Sequence, residues 1–128
     1  MSRKQLAPNF YVSEQISVVD MTDIAAAGIK SIICNRPDGE AGDQPNMAEI
    51  EQAAATCGIE FHALPVSSGS ISEQERANFS KILLAAPQPT LAYCRTGTRS
   101  TTLWSLHQAE TGTDTEQVLQ AAQGLATT

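Results

Sequence analysis

Thr90-Leu91-Ala92-Tyr93-Cys94-Arg95-Thr96-Gly97-Thr98-Arg99-Ser100 runs from an apolar segment through a polar, glycine-containing loop into a helical pattern. A buried strand, a tight loop and a helix in that order describe the strand-to-helix turn of a parallel α/β sheet. Ligands of such sheets gather at the carboxyl ends of the strands, where Cys94 sits. A loop wrapped before a helix N-terminus points successive backbone N–H groups inward and makes an anion cradle. Arg95, Thr96, Gly97 and Thr98 supply that cradle, with the Arg95 side chain pointing outward at its mouth. The same field favours a thiolate, so the Cys94 pKa is expected below that of a free thiol. Gly97 supplies the positive φ that other residues resist. Arg99 offers a planar fork for two oxygens of a tetrahedral anion. The Ser100 hydroxyl is placed to cap the helix and to donate to the thiolate.

Helical and strand patterns alternate on either side of this turn. Upstream, Phe10-Tyr11-Val12 is a short strand, and Ser17 opens a helix with Val18, Met21, Ile24 and Ala25 on one face, closed by Gly28. Ile29 to Cys34 is a β-branched run and hence a buried strand. Pro37, Gly39, Gly42 and Pro45 make Asn35 to Pro45 a loop. Asn46 with Glu49 opens a second helix, whose inward face is Met47, Ile50, Ala53, Ala54 and Cys57 and which Gly58 ends. A strand over Ile59 to Val66 and a Ser/Gly loop over Ser67 to Ser70 follow. Ser72 with Glu75 opens a third helix with the stripe Phe79, Ile82, Leu83 and Ala86. A fourth helix starts near Ser100 and closes at Gly112. A fifth, capped by Thr113, uses Val118, Leu119, Ala122 and Leu125. The sequence therefore predicts an α/β fold over residues 1–128, one domain with about four strands in a mostly parallel sheet flanked by helices.

Composition narrows the function. Fourteen acidic against eight basic residues give a net charge of −6, which disfavours nucleic-acid or anionic-membrane partners because both need clustered cations. No apolar run is long enough to span a bilayer. Three cysteines without a secretory leader suit a reducing, cytoplasmic setting. His62 and His107 have no ligand-spaced partners, so neither a metal nor a cofactor is expected.

The sequence resembles the beta-lactamase hydrolase-like, phosphatase-like domain family. Three stretches carry the likeness: Ala26-Ala27-Gly28-Ile29-Lys30 with Asn35-Arg36-Pro37-Asp38-Gly39-Glu40, Leu64-Pro65-Val66, and Ala92 to Ser100. The similarity extends over about Pro8 to Glu110. The resemblance implies a dual-specificity-phosphatase-like fold with Cys94 as nucleophile and Arg99 as anion binder. Members are described both as phosphatase-like hydrolases and as rhodanese-like sulfurtransferases, so the reaction must be read from the residues.

Two features favour sulfur transfer. Four residues separate Cys94 from Arg99. Tyrosine and dual-specificity phosphatases place one more there, whereas rhodanese-type enzymes use the shorter ring. A phosphatase also needs a positioned acid to protonate its leaving oxygen, yet Ser67-Ser68-Gly69-Ser70 carries none where that acid usually lies. The expected reaction is sulfane-sulfur transfer through a Cys94 persulfide, from a small anionic or thiol substrate such as thiosulfate or a persulfide. The alternative is phosphomonoester hydrolysis through a phosphocysteine, with Asp38, Glu40 or Asp43 as the acid. A non-catalytic anion-binding module is the third reading. Arg36 lies beside the site as a candidate second cation. Cys34 is a candidate resolving thiol, although a buried small hydrophobe is the commoner role.

Overall fold

The computed structural model describes residues 3–67 and 69–110. The central strands are those the apolar runs predict: β3 (Ser31–Cys34) and β5 (Thr90–Tyr93), buried at every position. β2 (Phe10–Ser13) pairs parallel with β5, β5 with β3, and β3 with β4 (Glu60–Ala63). β1 (Arg3–Ala7) adds an antiparallel edge, giving five strands in the order β1-β2-β5-β3-β4. The sequence predicts about four. β1 escapes it because Arg3, Lys4 and Gln5 are exposed and give no alternating apolar face.

Period-two alternation sorts the strand residues onto two faces. Ile32, Cys34, Leu91 and Tyr93 join Ile16, Met21, Ile24, Ile50 and Ala54 beneath α1 (Met21–Ala26) and α2 (Met47–Thr56). Ile33, Ala92, Phe10 and Val12 join Phe79, Leu83, Leu103 and Trp104 beneath α3 (Glu73–Ala85) and α4 (Thr98–Glu110). Burying both faces is what makes the central strands continuously apolar. Among the described residues no helix is long and apolar enough to cross a membrane.

Several boundaries differ from expectation, each for a local reason. Ser17 opens a 3-10 turn, Val18–Asp20, before α1, which leaves Val18 46% exposed rather than inward. Cys57 is the C-cap of α2, beyond its last full turn, and is exposed. β4 ends at Ala63 because Pro65 has no N–H to continue the ladder. The flanking N–H groups of Leu64 and Val66 still bond Cys34 O (2.8 Å) and Asn35 O (3.1 Å), which holds this segment beside β3. α4 begins at Thr98, so Arg99 and Ser100 lie in its first turn. Gly112 and the helix expected after Thr113 fall outside the described residues.

Candidate active site

Cys94 leaves β5 fully buried beneath the loop that follows it. The Gly97 N–H donates to its Sγ at 3.0 Å. Burial alone would push the thiol pKa up. Backbone N–H groups of Ser100, Thr96, Arg99 and Gly97 around the sulfur outweigh it, and the pKa falls below its ordinary value. Gly97 has φ +93°, a conformation a side chain would strain. The Thr101 hydroxyl and N–H both bond Gly97 O, at 2.8 and 3.0 Å, fastening the loop to α4. Arg95, Thr96 and Thr98 are exposed at the rim.

Ser100 departs from expectation. Its backbone N–H serves the sulfur, but its hydroxyl donates to Asn35 Oδ1 at 2.8 Å. Asn35 is fully buried, and its Nδ2 donates to Leu64 O at 3.0 Å. One amide thus ties the end of β3, the segment after β4 and the first turn of α4 together under the loop. In the sequence Asn35 is a polar residue closing a β-branched run, indistinguishable there from the first residue of the loop that follows.

Arg99 is buried and its guanidinium is partly spoken for. Nη1 donates to Glu40 Oε2 at 2.8 Å and to Val66 O at 3.0 Å, and Nη2 donates to Glu40 Oε1 at 2.9 Å. Arg36 Nε donates to the same Oε1 at 2.9 Å, and its Nη1 reaches Gln15 Oε1 at 2.9 Å. Arg36 therefore enters the site through Glu40. The Arg99 hydrogen bonds dominate Glu40; against some burial, and with help from Arg36, they hold its carboxyl at about 2. It is a carboxylate at neutral pH and has no proton to give.

That removes Glu40 as the acid of a phosphatase. Asp38 is engaged elsewhere, accepting the Met47 N–H at 2.8 Å at the start of α2. Asp43 is exposed and does not line the mouth, a depression of about 490 Å³ bounded by Glu40, Arg95, Thr96, Thr98 and Arg99. Cys34 packs in the first core cluster and donates to Arg36 O at 3.2 Å. Burial raises its thiol pKa, against hydrogen bonding to Tyr93 and Arg36 O, so it stays protonated. His62 pairs with Glu60 on β4 and His107 with Ser80, both away from the mouth.

Residues 3–111 match the family described as beta-lactamase hydrolase-like protein, phosphatase-like domain. A curated beta-lactamase hydrolase-like protein from Agrobacterium fabrum is 36% identical over 101 residues, 79% of this chain. Those residues span 23% of that relative, so the chain corresponds to under a quarter of its length. A solved phosphatase-like protein from Neisseria meningitidis superposes with a TM-score of 0.82 at 39% identity, covering 93% of this chain and 84% of that one. The Pseudomonas aeruginosa protein TpbA, in complex with pTyr, shares the fold at a TM-score of 0.71 and 14% identity, over 94% and 71% of the two chains.

Proposed function

Because the chain belongs to the phosphatase-like domain family of beta-lactamase hydrolase-like proteins, we propose that it hydrolyses phosphomonoesters through a phosphocysteine at Cys94. The observation that carries this reading is the ring of four N–H donors around a buried, acidified thiol, with Arg99 in the same turn. The Cys94 thiolate attacks phosphorus, forming an S–P bond as the P–O bond to the leaving group breaks. The leaving oxygen departs with that electron pair and takes a proton from solvent. Water then attacks phosphorus, the S–P pair returns to sulfur, and inorganic phosphate leaves with one proton lost to solvent. Preorganised N–H groups and the guanidinium stabilise charge on the non-bridging oxygens in both steps.

Among the described residues lining the mouth, the carboxylate is Glu40, which cannot protonate a leaving group. The substrate then needs an oxygen that leaves well unaided, such as an aryl phosphate or a phosphoric anhydride. Aryl phosphates should outpace alkyl phosphates by about 10- to 100-fold, since positioned acid catalysis contributes about 10²–10⁴-fold.

The same missing acid and the four-residue spacing favour a second reading, persulfide transfer, whose leaving groups need no acid. The family and its phosphatase-like relatives support the ester reading instead. Parallel assays with an aryl phosphate and with thiosulfate, each followed by mass spectrometry of Cys94, separate the two. A trapped adduct one phosphoryl group heavier is the expected result. An adduct one sulfur heavier, with no ester turnover, would restore sulfur transfer.

A further inference from the structure

Cys94 has no exposed surface, and the depression above the loop is walled by Glu40, Arg95, Thr96, Thr98 and Arg99 rather than by sulfur. The Glu40 carboxylate takes one whole edge of the Arg99 guanidinium and the Nε–H of Arg36. Of the five N–H donors on Arg99, two go to Glu40 and one to Val66 O, and the guanidinium also bonds the Cys94 sulfur. An anion already sits on the cations that a phosphoryl group would seek.

Resting on the phosphatase reading above, we propose that Glu40 is a resident anion which substrate displaces from Arg99 and Arg36, so that the site selects dianionic phosphoryl groups over monoanions. The partners differ in freedom to move. The Arg36 and Arg99 side chains are 5% and 9% exposed, whereas that of Glu40 is 28% exposed. The Glu40 backbone N–H is held by Gln44 Oε1 at 3.1 Å, so the movement is confined to the side chain. The carboxylate swings out while the guanidiniums stay. A monoanion merely exchanges like for like with Glu40. A dianion doubles the Coulomb attraction to each guanidinium and so outcompetes it. The mouth, about 490 Å³, has room for the exchange.

Protection of Cys94 from iodoacetamide, read on its own peptide so that exposed Cys57 does not contribute, measures anion binding without turnover. The probes are sulfate, a dianion, and methanesulfonate, a monoanion; both are tetrahedral and neither titrates near neutral pH. In the unaltered chain sulfate should protect at least about tenfold more tightly, a difference of 1.4 kcal/mol. Glu40→Gln should tighten both probes by a similar factor, because each is spared the same displacement of Glu40. Sulfate should also raise the melting temperature of Glu40→Gln more than that of the unaltered protein, because it re-pairs two stranded arginines. Glu40→Ala should move every measurement the same way. Weaker or unchanged sulfate protection in Glu40→Gln would overturn the proposal and leave Glu40 as a strut for Arg99. Anion discrimination without any ester turnover would instead sink the phosphatase reading and leave the resident anion standing.

Discussion

The loop over Cys94–Ser100 and the loop over Asn35–Gln44 leave the carboxyl ends of neighbouring strands, yet they are built in opposite ways. The first is a backbone structure: N–H groups ring the sulfur, Gly97 takes a positive φ, and Gly97 O is fixed by Thr101. The second is tied by side chains. Gln44 Oε1 accepts the Glu40 and Ala41 N–H groups at 3.1 and 3.3 Å while its Nε2 donates to Pro37 O at 2.9 Å. Asp38 fastens the turn to α2, and Arg36 and Arg99 meet on Glu40. A backbone cradle binds any oxyanion of the right size. A net of charged side chains decides which charge is admitted. On the proposed reading, the chemistry belongs to the first loop and the selectivity to the second.

The largest contrast between them lies in turnover. Cys94→Ser removes the proposed nucleophile and should lower aryl-phosphate turnover by on the order of 10⁴- to 10⁶-fold, the scale of nucleophile loss elsewhere. The fold should persist, since the exchange is nearly isosteric. Substantial turnover in Cys94→Ser would move the chemistry out of this loop. Arg99→Lys comes next, because it sits in one loop and pairs with the other. A point charge replaces a fork that spans Glu40 and Val66 O. Loss of one charged hydrogen bond costs roughly 1.5–3 kcal/mol, so kcat should fall about 10- to 100-fold. A rise confined to KM would mean that Arg99 binds ground and transition states alike.

The joint beneath both loops gives a smaller effect, in stability rather than rate. Asn35→Ala strands the Ser100 hydroxyl and the Leu64 carbonyl in the core. About 1–3 kcal/mol of unfolding free energy should be lost, seen as a lower urea midpoint at unchanged m-value. No loss would mean that the two loops are held independently of that amide.

The same division explains what could be read in the sequence. A backbone cradle is written in a few adjacent residues, so Cys94, Gly97 and Arg99 were legible, as was the sheet behind them. Side-chain nets join residues far apart, and a single sequence shows no pairing. Glu40 therefore reads as a candidate acid, although two arginines from different elements keep it ionised. Ser100 read as a thiolate donor because its partner Asn35 lies 65 residues away in the chain. The third helix was legible to its capping box, Ser72 with Glu75, since that signal is local. β1 was not, being an edge strand with charged, exposed residues.

Changes of pH separate the two loops through the smallest effect. Glu40 titrates at about 2 in the folded chain against an ordinary 4.5, chiefly through the Arg99 hydrogen bond. A lowered folded pKa means stability that is present above 4.5 and is lost as pH falls toward 2. The gap in unfolding free energy between the unaltered protein and Glu40→Gln should therefore be largest above pH 4.5 and shrink through that window. It should stay below the full linkage value, because a 28% exposed side chain is screened by solvent. Cys94 obeys the same sign in another window. Its thiol pKa is lowered from 9.0, so its stabilisation is complete above pH 9.0 and is lost on descent through the folded pKa. The stability curve of Glu40→Gln should thus differ from the parent on the acid side, and that of Cys94→Ser on the alkaline side. Urea midpoints across pH measure both. A Glu40→Gln gap that stays constant between pH 4.5 and 2 would show that no carboxylate is held against the arginines, and the selectivity argued for the second loop would lose its basis.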